Sequence, residues 1–504
     1  MKTKLFGVLL LLETVALLVT SAVALYYNRN YGEQDLNSFL TTAAITGAVG
    51  LSLFLLGRKK KKMFDADDTF VIVSLSWLLF SAFGMLPFLL SGAVDNVTDA
   101  FFETMSGFTT TGSTILRDVD SQPHGILFWR SVMQWLGGLG IVVFTVAFIP
   151  SVAKGSGKMA LFAAEAPGLS VEKLAPTMQG TSRILWAIYI LLTILCAFFY
   201  WLGPMDFFDA VCHALTTIAT GGFSTHQDSI GYFHSQYIEY TCSIFMLMSG
   251  VSFAMYYFFV RGRWGIIWKN EEFRVYLVSM AVMTVFFIGL FYLTPAFQGV
   301  TTEQLDSYPQ RGEPTFRAAW FHVTSMLSNT GFMAENGNYD LWGMLFVIPT
   351  LIMQIIGGCA GSTSGGIKIV RVIVIFKVIK NAIKELVHPT GMFTVKVSGQ
   401  SVDDLSVRRV INFLSLFIIL FMVNVLVLAT SGMSLEDACI SFLTCFSNLG
   451  AGSGATGPSA SFADLPTVSK WILSLDMLIG RLEIVTVCLV FFRSAWVTRT
   501  SLKR

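Results

Sequence analysis

Four stretches of the chain join a short apolar run to hydroxyls or amides and then to a glycine. Aligned without gaps they read DAFFETMSGFTTTG (99–112), DAVCHALTTIATGG (209–222), AAWFHVTSMLSNTG (318–331) and DACISFLTCFSNLG (437–450). The second residue is always Ala. The eighth is always a hydroxyl: Ser106, Thr216, Ser325, Thr444. The twelfth is small and polar: Thr110, Thr220, Asn329, Asn448. Neutral oxygens gathered in this way suit one kind of chemistry. Rings of backbone carbonyls replace the hydration shell of a desolvated cation. A glycine tolerates positive φ and so lets the chain turn those carbonyls toward an ion. The candidate ion-binding residues are Thr110, Thr111, Gly112, Thr220, Gly221, Gly222, Asn329, Thr330, Gly331, Asn448, Leu449 and Gly450.

Elements must hold these oxygens in place. Each copy lies between two long apolar segments, and its own apolar part is too short to span a bilayer, which takes about 20 residues. The unit therefore reads as helix, short helix entering the membrane, polar segment returning, helix. Non-helical backbone at membrane depth survives only inside protein or against water. Four such loops meet that condition together by surrounding one axis. Each unit contributes two spans, so successive units share one orientation, unlike the inverted repeats of many transporters. Four short helices then aim the negative ends of their dipoles, about −0.5 charge each, at the axis.

Composition agrees with a membrane setting. Of 504 residues 54% are hydrophobic and 13% charged, against roughly 25% charged in soluble domains. Spans are predicted over 5–27, 39–57, 69–91, 126–150, 184–203, 237–260, 275–295, 341–376, 409–431 and 468–492, ten in all. A cleaved leader is the alternative reading of the first. Residues 1–4, 58–68, 151–183, 261–274, 377–409 and 493–504 carry 25 Lys and Arg against ten acids. The opposite connections carry four (Arg29, Arg117, Arg311, Arg317) against eighteen. The positive-inside rule puts both termini in the cytoplasm. The acidic outer face reads equally as a solubilising rim or as a field concentrating cations. The fold expected is an all-α polytopic membrane protein: a two-helix hairpin (1–62), then four parallel repeats over 63–170, 171–270, 271–400 and 401–504 around one pore.

Two features stand apart from the repeat. Within 341–387 lies GGCAGSTSGG, whose five glycines break a helix. Gly357, Gly358, Gly361, Ser362, Thr363, Gly365 and Gly366 are the candidate gating loop, with Lys368 and Arg371 just after it. Arg481 sits mid-span, where insertion costs about 2.5–3.5 kcal/mol, so it needs a partner or water. Asp476 and Glu483 are its carboxylate candidates. His213 and His322 share the fifth position of their copies and read as packed, hydrogen-bonded residues.

The four filter segments, with QWLGGLGIVVF (134–144), ATGGFSTH (219–226), GGCAGSTSGGIKIVR (357–371) and GRLEIVT (480–486), resemble the TrkH/TrkG/KtrB superfamily of potassium transporters along nearly the whole chain. The two extra N-terminal spans are closest to TrkH. The resemblance implies potassium uptake across the bacterial inner membrane, one four-loop pore per subunit and assembly as a homodimer. It also implies a cytosolic nucleotide-binding ring of the TrkA type. It makes Gly112, Gly222, Gly331 and Gly450 the filter glycines, 357–366 a gate, and Arg481 a positive barrier in the cavity. Glycine at all four positions implies selectivity for potassium. The third filter departs from the family's usual threonines with SNTGF.

Other functions fit less well. Seven cysteines form no CxxC pair, and no HExxH or paired-acid constellation marks an enzyme. No Walker or Rossmann glycine pattern follows a strand, so no cofactor is expected in this chain, and RKKKK (58–62) reads as topology and lipid contact, not nucleic-acid binding. An H+- or Na+-coupled K+ symporter, or a Na+/K+ transporter, is the alternative, with Glu13, Asp476, Glu483 and Glu239 as the few candidate carboxylates for coupling.

Overall fold

The computed structural model describes residues 2–57, 66–140, 174, 175, 177–297, 308–335, 337–457 and 460–491. Several expectations fall at least partly outside them: the basic run 58–62, the second half of the span over 126–150 with the end of the motif 134–144, most of the inner connection 151–183, part of the outer connection 296–340, and the basic tail after 492. Within the described residues the chain is helical apart from loops and one two-stranded antiparallel ladder, Lys396–Val397 with Gln400–Ser401.

Lys2–Tyr31 and Leu36–Leu56 form a helical hairpin. Glycines let its helices touch: a Cβ on Gly7 would lie 2.4 Å from the Phe54 amide nitrogen. Small residues at helix contacts are how apolar helices pack where lipid supplies no hydrophobic drive. The hairpin's turn docks on the first repeat, with Glu33 Oε1 2.6 Å from His124 Nδ1 and Tyr27 stacked on the His124 ring.

Among the described residues six helices are long and apolar enough to cross a membrane: 3–31, 36–56, 71–91, 179–201, 271–294 and 404–430. The helix Asp404–Thr430 turns Ile418, Ile419, Met422, Val423 and Leu426 outward, a continuous apolar face suited to lipid. The other four of the ten predicted spans are not continuous helices. His124–Gly138 ends before Gly140, which has φ +90°. Gln236–Ser249 and Phe253–Val260 meet at a 96° bend. Met344–Ile356 and Ile369–Val387 are separated by the glycine-rich loop. Thr467–Leu482 stops at Glu483, φ +69°. All four are the second long helix of their repeat. The glycine-rich run marks the third break in the sequence, whereas hydropathy registers the other three apolar runs and not their breaks.

Candidate functional site

The short helices of the four copies are Val97–Phe108, Phe207–Ile218, Glu313–Leu327 and Leu435–Phe446. Three start on side-chain caps: Asn96, Asp206 and Ser434 accept from the amides of Asp99, Asp209 and Asp437. All four end in the same way. The amides of Thr111, Gly221, Thr330 and Leu449 donate to the carbonyls of Ser106, Thr216, Ser325 and Thr444 at 2.9–3.1 Å. The amides of Thr110, Thr220, Asn329 and Asn448 donate to the carbonyls three residues back. This pair of bonds is the Schellman stop, which requires a left-handed residue after the cap. That residue is the twelfth of each window: Thr110, Thr220, Asn329 and Asn448 have φ of 55°, 52°, 57° and 51°. The eighth-position residue thus acts through its carbonyl. Asparagine tolerates this conformation, whereas a β-branched residue there is an outlier. SNTGF and SNLG therefore keep the backbone of the two threonine copies with less strain.

The segments after these stops touch one another in turn. A Cβ on Gly112 would lie 2.2 Å from the Gly221 carbonyl oxygen, and one on Gly222 2.0 Å from that of Thr330. One on Gly331 would lie 3.3 Å from the Gly450 amide, and one on Gly450 2.3 Å from the Gly112 carbonyl carbon. First meets second, second meets third, third meets fourth and fourth meets first. Gly112, Gly222 and Gly331 take φ of 88°, 78° and 82°, as expected. Gly450 does not; there it is close approach, not φ, that requires glycine.

Side chains brace this circuit from behind. Gln134 Nε2 donates to the Gly221 carbonyl at 2.7 Å, and its Oε1 accepts from the Phe223 amide. Asn329 Nδ2 donates to the carbonyls of Gln354 and Ser447, and Asn448 Nδ2 to Thr111 Oγ1 and the Met477 carbonyl. The polar groups of both asparagines thus reach neighbouring segments. Thr111 and Thr330 hydroxyls pair with those of Thr109 and Ser328.

The glycine-rich loop packs against the helix stops. Thr363 Oγ1 donates to the Ile218 carbonyl at 2.9 Å, Ser364 Oγ to Asn329 Oδ1 at 3.1 Å, and the Gly366 amide to the Ser447 carbonyl at 3.1 Å. A Cβ on Gly365 would lie 2.0 Å from that Ser447 oxygen. Gly357, Gly361 and Gly366 have positive φ, and Gly358 closes on the Gly250 carbonyl. Ser362 caps the loop's own Cys359 carbonyl.

The hydrogen bonds described for Arg481 run to backbone carbonyls and not to Asp476 or Glu483. Arg481 donates to the Thr363 carbonyl at 2.8 Å, the Gly137 carbonyl at 2.7 Å, and the Gly138 carbonyl. Glu483 pairs instead with Arg371, and Asp476 accepts from Asn424. Glu483 lies at the break, φ +69°, just past the end of the helix that carries Arg481. Lys368 Nζ donates to the Ser364 carbonyl, inside the loop. A cavity of about 620 Å³ lies against the loop and reaches Gly138, Asn448, Gly480, Lys368 and Arg481. His213 and His322 are packed and bonded, to Ser224 Oγ and Thr350 Oγ1 respectively.

The TrkH family of cation transport proteins matches residues 35–496. The chain belongs to the TrkH family. The Trk system potassium uptake protein TrkH of Escherichia coli K12 is 36% identical over 98% of each chain. The potassium uptake protein TrkG of the same organism is 34% identical over the same share. The crystal structure of the potassium transporter TrkH from Vibrio parahaemolyticus matches with a TM-score of 0.84 at 33% identity, covering 98% of this chain and 99% of that one.

Sequence reasoning missed two things in this TrkH-family site. The twelfth window position, noted as small and polar, is where the left-handed turn sits. The fifth position, noted for its two histidines, carries Glu103 in the first copy, and Glu103 forms a buried ion pair with Arg130 at 2.8 Å.

Proposed function

We propose that the chain takes up potassium across the bacterial inner membrane, with both termini in the cytoplasm. The observation that carries this is the closed circuit of four identically stopped helices and the glycines that follow them. Residues 1–62 form a hairpin beside four repeats bounded as 63–170, 171–270, 271–400 and 401–504. Ten spans arise when each broken second helix counts as one crossing. The carbonyl and hydroxyl oxygens of Thr110–Gly112, Thr220–Gly222, Asn329–Gly331 and Asn448–Gly450 take the place of the ion's water. The four helix C-termini add negative potential without a fixed charge, which favours a cation yet lets it leave.

The loop 357–366 is the gate in this reading. It is anchored to three of the four segments and to Arg481, whose charge lies beside the cavity. Arg481 thus both holds the loop and opposes cations there. The chain works as a homodimer over a cytosolic nucleotide-binding ring of the TrkA type. Uptake coupled to H+ or Na+ is a second reading, favoured by one observation: both carboxylate oxygens of Glu13 are fully buried with no hydrogen-bond partner among the described residues.

Rubidium uptake into proteoliposomes tests the proposal. Gly112→Asp should abolish uptake, and uptake insensitive to it sinks the filter. Reversal potentials in opposed K+ and Na+ gradients, with and without a pH gradient, separate passive flow from coupling. A reversal potential that follows the K+ gradient alone rules coupling out.

A further inference from the structure

The circuit is held unequally, and the inequality centres on Arg130. Arg130 lies on the helix His124–Gly138 and is 2% exposed. Its Nε donates to Glu103 Oε1 at 2.8 Å, its Nη1 to the Ser224 carbonyl at 3.0 Å, and its Nη2 to Thr114 Oγ1 at 3.2 Å. The guanidinium lies 4.0 Å from the centre of the Phe223 ring. Glu103, also fully buried, accepts in addition from the Ile115 amide at 2.9 Å and from Thr114 Oγ1 at 3.0 Å. Thr114 and Ser224 are equivalent positions, each two residues beyond the glycine of its segment. One planar guanidinium therefore joins the distal ends of the first and second segments, using the fork geometry that lysine lacks. His213, the counterpart of Glu103, holds the Ser224 hydroxyl at 2.9 Å.

The other two segments are held differently: the Met333 amide donates to Ser229 Oγ, Tyr339 donates to the carbonyls of Ala451 and Gly452, and among the described residues no single guanidinium joins the residues two beyond their glycines. At the fifth position, His322 turns to Thr350, and Ser441 Oγ has no hydrogen-bond partner among the described residues. The residues two beyond their glycines are Met333 and Gly452.

We infer that Arg130 is a positioning residue that fixes the spacing between the first and second segments, and so sets discrimination between monovalent cations. This rests on the filter proposed above. A carbonyl ring discriminates by the size and stiffness of its cage. A ring clamped at one joint cannot shrink onto a smaller ion there. Glu103 neutralises Arg130, so the clamp adds no net charge to repel the ion. Without that partner a buried charge is strongly unfavourable, which is why the two residues act as a unit.

The test uses full-length protein in proteoliposomes, with Na+ and Cs+ competing against Rb+ uptake and K+/Na+ reversal potentials measured alongside. Arg130→Lys keeps the charge beside Glu103 and loses the fork. It should still carry Rb+, with K+ over Na+ discrimination lowered by a factor of roughly 3 to 10, the worth of one hydrogen bond. Thr114→Val removes only the hydroxyl gripped by both charges. It also frees the Leu116 amide, so its melting temperature is measured alongside; folded Thr114→Val should lower discrimination in the same direction. Glu103→Gln combined with Arg130→Gln should restore folding and not discrimination. Unchanged discrimination in Thr114→Val, or in folded Arg130→Lys, overturns the inference. Failure of the filter itself looks different: wild-type protein would then show no preference for K+, or Gly112→Asp would still transport.

Discussion

The first and second segments of the circuit differ from the third and fourth in how an identical turn is held. In the first pair the left-handed residue is a threonine, and the bracing comes from beyond the glycine, through Glu103, Arg130 and His213. In the second pair it is an asparagine whose amide braces the segment from its own turn, donating to Gln354, Ser447, Thr111 and Met477. Asn329 also accepts from Ser364 of the glycine-rich loop. One half of the ring is thus fixed by a charged clamp at its distal end. The other half is held beside the loop by its asparagines and, past Gly450, by Tyr339 and Gln354 donating to the Ala451 carbonyl. Movement of the loop should be felt first by the third segment, and loss of the clamp by the first and second.

The largest effect expected is one that treats both halves alike. Gly222→Ala places a Cβ 2.0 Å from the Thr330 carbonyl oxygen at φ +78°, so Rb+ uptake should fall to background. Gly32→Ala is the control: it has the same φ and nothing within 4 Å, so it carries only the backbone penalty of about 1–2 kcal/mol and should transport. If both variants transport, the contact between second and third segments is not essential. Gly450→Ala, at ordinary φ but 2.3 Å from the Gly112 carbonyl carbon, should behave like Gly222→Ala.

Next come substitutions that divide the halves. Arg481→Ala frees the Thr363 carbonyl and removes a charge beside the cavity, so Rb+ flux should rise several-fold in the absence of any cytosolic partner. Unchanged flux removes Arg481 as a barrier. Asn329→Ala leaves the Gln354 and Ser447 carbonyls and the Ser364 hydroxyl short of a partner, at about 1–3 kcal/mol for an unsatisfied buried group. It should raise flux in the same way while lowering thermal stability. Thr110→Asn should do the opposite to stability. The Thr110 hydroxyl has no hydrogen-bond partner, and asparagine suits φ 55°, so a gain of up to about 1 kcal/mol is expected in a melting experiment. A loss there would mean that the threonines are packed better than the dihedral suggests.

This division explains what the sequence could and could not tell. The four windows were legible because the repeat keeps residue types at fixed offsets, and the glycine-rich loop because five glycines cannot continue a helix. The Schellman stop was half legible. The twelfth residue stood out as polar, but threonine there argues against a left-handed turn, so the signal pointed to the glycine instead. The breaks at Gly140 and Glu483 left no mark on hydropathy. Arg481 was correctly singled out as needing partners, yet three backbone carbonyls from distant segments leave no pattern in sequence. Glu103 and Arg130 lie 27 residues apart on separate helices, and only the aligned fifth position linked Glu103 to its histidine counterparts.

The smallest expected effect concerns the clamp's surroundings. His226, four residues past Gly222, has Nδ1 3.0 Å from Asp120 and Nε2 3.1 Å from Asp209, and stacks on Tyr232. It faces the outer side on the topology proposed. Burial lowers its pKa, but the hydrogen bonds to Asp209 and Asp120 and the charges of both carboxylates outweigh that and raise it above 6.5. Burial likewise raises Asp209, but His226, His213 and Thr225 bring it below 3.8. A raised histidine stabilises below its ordinary value and loses that as pH climbs through its folded value. A lowered aspartate stabilises above its ordinary value and loses that as pH falls through its folded one. The strut is therefore complete between pH 3.8 and 6.5. The melting difference between wild type and His226→Gln should be largest in that window, up to about 1 kcal/mol for a partly exposed pair, and should shrink toward pH 9. The same titration in Arg130→Lys gives the sharper comparison. If clamp and strut brace one joint, the His226→Gln effect will change in that background. If the two effects add, the strut holds only the outer loops.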